Sequence, residues 1–159
     1  MGTRSLTHVL DEDNNTIITL YRQYGGYPDG HGADIYNQFG NLTIINGIGM
    51  GQSAPEYANG IGCFAAQLVA HFKKGIGGIY LYKPNSSDCW EDYTYYISPK
   101  EDKLWLKIVG YDGEIYNDYL SGLKAWIDNG GENDSDDSDG DDIDDIETAN
   151  VTGRLIDLS

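Results

Sequence analysis

The sequence predicts an α+β domain: an antiparallel sheet of about five or six strands, one or two helices packed on one face, and a disordered acidic C-terminal tail. Three observations carry this reading. Four strand-like segments follow one another between residues 78 and 119, joined by short polar links. Ahead of them, Ile61, Phe64, Ala65, Leu68, Val69 and Phe72 recur at the spacing of one helix face. The first 24 residues read as a hairpin. Runs of strands with few helices build a sheet covered on one side.

Taken in order, residues 3–10 and 16–24 are rich in β-branched and apolar residues, and Asp11-Glu12-Asp13-Asn14-Asn15 between them is turn chemistry. A turn centred on Asp13 sets Leu6 opposite Leu20, His8 opposite Ile18 and Arg4 opposite Arg22. Both arginines then share a face, whereas a slip of one residue sends them to opposite faces. Residues 21–32 follow, Tyr21-Arg22-Gln23-Tyr24-Gly25-Gly26-Tyr27-Pro28-Asp29-Gly30-His31-Gly32, a strand end running into a glycine-rich turn. Ile35, Tyr36 and Phe39 suit a short helix over 32–39, and 41–53 reads as a short buried segment and a loop.

Ser53-Ala54-Pro55-Glu56 has capping-box spacing ahead of the amphipathic helix, which ends near Lys73-Lys74-Gly75, although Gly60 and Gly62 weaken its first turns. Cys63, Ala66 and Ala70 form a narrow small-residue strip, compatible with close approach of a strand or of a second subunit in a homo-oligomer. Strands are expected at Gly78 to Lys83, Tyr93 to Ser98, Leu104 to Val109 and Glu114 to Tyr119. In the third, Leu104, Leu106 and Ile108 alternate with Trp105 and Lys107, a half-buried pattern. Residues 120–127 suit a last short helix.

The chain of 159 residues therefore divides into a single domain over 1–127, an acidic low-complexity tail over 128–150, and a terminal segment over 151–159. Val151, Leu155, Ile156 and Leu158 would let that last segment dock as a strand or serve as a binding peptide. The net charge of −16 is concentrated: residues 128–147 hold eleven of the 26 acids and no Lys or Arg. Carboxylate repulsion and scarce apolar residues predict disorder there. With ten bases scattered along the chain, direct nucleic-acid binding is not expected.

Thirteen tyrosines and three tryptophans against three phenylalanines point to a core with amphipathic borders. No signal-peptide pattern and no membrane-length apolar run is read, so a cytoplasmic protein is expected. Cys63 and Cys89 leave a disulfide open, though the helical setting of Cys63 favours a buried thiol.

The candidate site is Arg4, Arg22, Tyr24, Tyr27 and His31 around the glycine turn. Guanidinium forks and converging backbone N–H groups suit phosphate or carboxylate, and tyrosines offer stacking surfaces for a base or sugar. The structural alternative is a turn needing positive φ, with Arg22 paired to Asp29 or Asp34 and Tyr27 capping the core. Asp88-Cys89-Trp90-Glu91-Asp92 with His31 is a weaker acid–base or metal candidate, since no known ligand spacing is present. His8 and His71 read as border residues. Counting back from Gly140 puts Ser135 and Ile146 where a calcium loop needs acids, so that motif fails. No phosphate loop, dinucleotide fingerprint or nucleophile elbow appears, and no cofactor is implied.

Gly2-Thr3-Arg4-Ser5-Leu6, Tyr21-Arg22-Gln23-Tyr24, Gly26-Tyr27-Pro28, Gly30-His31-Gly32, Asn59-Gly60, Cys63 and the run Ala65 to Phe72 together carry a resemblance. Over residues 2–97 the chain resembles a family of small uncharacterised proteins encoded by bacteriophages, prophages and some bacteria. One departure is Gly25, where that family usually has an acid before Gly-Tyr-Pro. The resemblance implies a phage context, in which small proteins blunt host defence, sometimes by sequestering a nucleotide signal.

The leading expectation is thus a non-enzymatic protein that captures a small anionic, nucleotide-like ligand. One alternative is an interaction protein whose acidic tail mimics nucleic acid or binds a host protein. The other is a metal- or His-dependent phosphoester hydrolase using His31 with Asp88 or Glu91.

Overall fold

A computed structural model of the chain describes residues 2–131. The expectations for most of the acidic tail and for residues 151–159 lie outside the described residues. Among the described residues, those up to Ala125 form one compact unit, and those from Trp126 on belong to a second. In the described part of the second, the N–H of Gly131 bonds the Trp126 carbonyl at 2.9 Å and closes a turn.

The α+β class is as the sequence predicts. Six strands form the main sheet: β1 (Ser5–Leu10), β2 (Thr16–Arg22), β5 (Ile79–Tyr82), β6 (Tyr93–Lys100), β7 (Lys103–Gly110) and β8 (Gly113–Tyr119). A short parallel pair, β3 (Thr43–Ile45) and β4 (Tyr57–Asn59), stands apart. The helices are α1 (Ala33–Phe39), α2 (Ile61–Phe72) and α3 (Leu123–Asp128). The sheet order is β5-β2-β1-β6-β7-β8. All neighbours are antiparallel except β1 and β6, which are parallel, so the sheet is mixed rather than purely antiparallel. Among the described residues no helix is long and apolar enough to cross a membrane.

Two local expectations are corrected. In the first hairpin Asp11 Oδ1 accepts the N–H groups of Asp13 and Asn15, so the turn sits where its composition puts it. Leu10 pairs with Thr16 as a turn centred on Asp13 requires, but a bulge at Val9/Leu10 inserts an extra residue into β2. Beyond it Ser5 pairs with Arg22, Leu6 with Tyr21 and His8 with Thr19. Arg4 and Arg22 consequently fall on opposite faces in the alternation. The second correction is the capping box. Ser53–Glu56 leads into β4, and α2 begins at Ile61 because Gly60, at φ 85°, breaks the backbone from what precedes it.

One face of the sheet carries Thr7, Val9, Leu20, Tyr95, Ile97 and Ile108, all fully buried. Against it pack the apolar sides of α1 and α2, where Phe39 and Phe64 meet edge to face at 5.2 Å. On the opposite face Leu6, His8, Thr19 and Tyr21 are also buried. The link between β5 and β6 covers them: the Asn85 N–H bonds Thr19 Oγ1 at 2.8 Å, and the Arg4 N–H bonds Asp92 Oδ2 at 2.9 Å. That cover stops at β6, and Tyr96, Trp105, Lys107 and Tyr119 are half-buried beyond it.

Candidate functional site

The glycine-rich turn after β2 folds onto the start of β1. Gly25 takes φ 72°, a conformation that favours glycine. At Gly26 a Cβ would lie 2.8 Å from both the Arg4 carbonyl carbon and Ser5 Cβ, so only glycine lets the two backbones touch. The Gly26 N–H bonds the Thr3 carbonyl at 2.9 Å, and its own carbonyl accepts from Tyr95 Oη at 2.7 Å. Pro28–Gly32 then forms a π-helical turn that lowers His31 into the core.

His31 is 0% exposed, between Phe72 and the edge of Tyr95. Its Nδ1 lies 3.1 Å from Arg22 Nη1, and its Nε2 lies 2.7 Å from Thr7 Oγ1. Because a guanidinium only donates, Nδ1 must accept and Nε2 carries the proton, which it gives to Thr7. Burial, reinforced by the Arg22 charge, pushes the imidazole pKa down to about 3, so the ring is neutral at ordinary pH. Arg22 Nη1 also donates to Asp34 Oδ2 at 3.1 Å, its Nε donates to the Tyr24 carbonyl, and its guanidinium lies 5.6 Å from the Phe72 ring centre.

The structure therefore brings Arg22 and His31 together and reaches Tyr24 through its main chain. The rings of Tyr24 and Tyr27 stand exposed at the rim of the turn. Arg4 precedes Ser5, the partner of Arg22, so after the bulge the strand alternation puts it on the other face. Arg22 is 20% exposed, with Nη1 donating to Asp34 and His31 and Nε donating to the Tyr24 carbonyl. These contacts fit the structural alternative for Arg22 and His31. Nor does His31 meet the acids of residues 88–92, because that link runs over the sheet face opposite Thr7 and His31. Both of its ring nitrogens are engaged, and the Thr7 hydroxyl beside it is fully buried. Among the described residues no group of three His, Cys, Asp or Glu could hold a metal ion. Cys63 and Cys89 are free thiols.

The sequence reading missed the uncovered face of β6, β7 and β8. Tyr96 stands beside Lys107 and Ser98 beside Trp105 across β6 and β7, while Lys107 faces Asn117 and Trp105 faces Tyr119 across β7 and β8. The Trp105 ring is fixed from two sides: its Nε1–H donates to Asn117 Oδ1 at 2.7 Å, and Tyr119 meets it edge-on at 4.9 Å. Lys100 Nζ lies 4.0 Å from the Trp105 ring centre. Lys107 Nζ lies 4.7 Å from the centre of Tyr96, whose ring stacks on His8 at 5.1 Å. Two rigid rings thus carry two ammonium groups on a half-open surface. The alternation of Trp105 and Lys107 was the visible signal, but convergence with Tyr96 and Lys100 depends on strand register.

No protein-family model, no curated protein and no solved structure matches the chain.

Proposed function

We propose that the protein is a non-enzymatic binding protein that captures a small anionic ligand with a planar ring, of the nucleotide class, on the open face of β6–β8. The observation that carries this is the pairing of Lys100 with Trp105 and of Lys107 with Tyr96 on that face. An aromatic base stacks on such rings, and its phosphate takes the ammonium groups that otherwise rest on them. Trp105 is held in place by Asn117 and Tyr119, so little side-chain freedom remains to be lost on binding.

The ligand is small because only Lys100, Lys103 and Lys107 supply cations on these strands, in a chain of net charge −16 that repels a polyanion. The resemblance to phage-encoded proteins supports sequestration of a host nucleotide signal as the biological use. Catalysis is not part of the reading: the rings and lysines bind and orient, and the neighbouring His8 is buried against Tyr96 with its Nδ1 at 2.8 Å from Thr19 Oγ1.

Calorimetric titration of the full chain with linear and cyclic nucleotides and ADP-ribose tests the proposal. One of them is expected to bind and to be recovered intact. Loss of one base–aromatic stack costs roughly 1–3 kcal/mol, so Trp105→Ala is expected to weaken binding by about tenfold or more. Lys107→Ala is expected to weaken it in a salt-dependent way. Failure of every nucleotide to bind, or unchanged affinity in Trp105→Ala, would overturn the assignment.

A further inference from the structure

A second surface stands at the other edge of the sheet, where β5 has no outer neighbour. The Gln23 N–H bonds the Gly78 carbonyl at 2.8 Å, and this fixes the alternation along β2 and β5. Tyr80 and Tyr82 exchange their backbone hydrogen bonds with Tyr21 and Thr19, whereas Ile79 and Leu81 aim their N–H and C=O groups outward. The outward groups of Ile79 are occupied. Its N–H bonds the Gly77 carbonyl at 2.9 Å, and its carbonyl accepts from Lys73 Nζ at 2.8 Å. Among the described residues nothing occupies those of Leu81.

Proteins ordinarily blunt such an edge with charge, bulges or cover. Here one lysine seals half of it and the rest is apolar: Leu81 is 57% exposed, Tyr80 44%, and neighbouring Ile76 fully so. Tyr82 stacks parallel on Tyr21 at 4.9 Å, and Tyr80 leans on the same ring, which stiffens the strand. Lys73, Lys74 and Lys83, three of the seven lysines in the chain, are exposed around the edge.

We propose that the outer edge of β5 accepts an extended acidic peptide as an added strand. A partner residue opposite Leu81 exchanges two backbone hydrogen bonds with it, β-branched side chains of the partner cover Leu81 on one face and Tyr80 and Tyr82 on the other, and flanking carboxylates meet the lysines. Lys73 acts as an exchangeable seal: it leaves the Ile79 carbonyl to a partner N–H and takes a partner carboxylate instead. The same charges disfavour a second copy of this chain. Two β5 edges paired about Leu81 set Ile79, with Lys73 beside it, against Lys83 of the other copy.

The probe is a synthetic peptide of alternating valine and threonine with two aspartates at each end, titrated into the full chain. Slowed amide exchange is expected at Leu81, by about tenfold or more at saturation, with Tyr80 and Tyr82 unchanged because β2 already protects them. N-methylation of one alternating set of peptide amides is expected to abolish binding, and methylation of the other set to leave it intact. Leu81→Pro removes the outward N–H at an edge position that tolerates proline and is expected to weaken binding at least tenfold. Unchanged exchange at Leu81, equal effects of the two methylation patterns, or equal binding by a peptide with lysines replacing the aspartates would each overturn the proposal. Concentration-dependent protection of Leu81 in the protein alone would overturn it in favour of a second copy.

Discussion

Replacing His31 with alanine is expected to destabilise the fold by roughly 3–5 kcal/mol. The substitution opens a cavity between Phe72 and Tyr95, and it leaves the fully buried Thr7 hydroxyl and one part-buried Arg22 donor without their partner. Denaturant unfolding near neutral pH measures it. The same histidine makes stability depend on pH. Burial, and then the Arg22 charge, hold its folded pKa at about 3, against 6.5 for an unperturbed imidazole. Between those values the unfolded chain binds the proton and the folded chain refuses it. This contribution is therefore fully present above pH 6.5 and is lost as the pH falls towards 3. The slope approaches about 1.4 kcal/mol per pH unit for this one group. His31→Gln keeps a donor for Thr7 but does not titrate, so the wild-type protein is expected to lose more stability than this variant between about pH 7 and about pH 4.5.

Gly26→Ala is the second large effect, at roughly 2–3 kcal/mol. Its Cβ would meet the backbone of Arg4 and Ser5 at 2.8–2.9 Å, and backbone cannot swing aside as a side chain can. Relief requires the turn to lift from β1, which breaks the Gly26 N–H bond to Thr3 and the Tyr95 bond to the Gly26 carbonyl. Gly62→Ala is the contrasting control. Gly62 sits in the first turn of α2 with nothing within 4 Å of an added Cβ, so alanine there is expected to leave stability unchanged or raise it by up to about 1 kcal/mol. Melting of both variants, followed by circular dichroism, separates a glycine needed for close approach from one that is not.

The two effects explain what was legible in the sequence. Period-two alternation at Leu104, Leu106 and Ile108 and the helical period from Ile61 to Phe72 record burial directly, so those elements were placed correctly. A β-bulge leaves no such record. The extra residue in β2 costs nothing in composition, yet it sends Arg4 and Arg22 to opposite faces and dismantles the expected pair of guanidiniums. The parallel pairing of β1 with β6 joins residues 88 apart in sequence, which local pattern does not encode.

At the turn, the sequence pointed to residues that matter but left their role open between ligand and lock. Of the structural alternative, positive φ at Gly25 and the Arg22–Asp34 ion pair are present, whereas Tyr27 is 46% exposed and does not cap the core. The stacking face was hidden for a different reason. Tyr96, Lys100, Trp105 and Lys107 lie on two strands, and only their register shows that each lysine rests on a ring.

A two-dimensional amide spectrum recorded during nucleotide titration distinguishes a ligand on the open face of β6–β8 from one at the glycine turn. Saturable shifts are expected at the indole N–H of Trp105 and at the amides of Tyr96, Lys107 and Asn117, with Arg22, Tyr24, Tyr27 and His31 unmoved. Shifts confined to Arg22, Tyr24 and Tyr27, with the Trp105 indole unchanged, would rule out the open face and return the ligand to the turn.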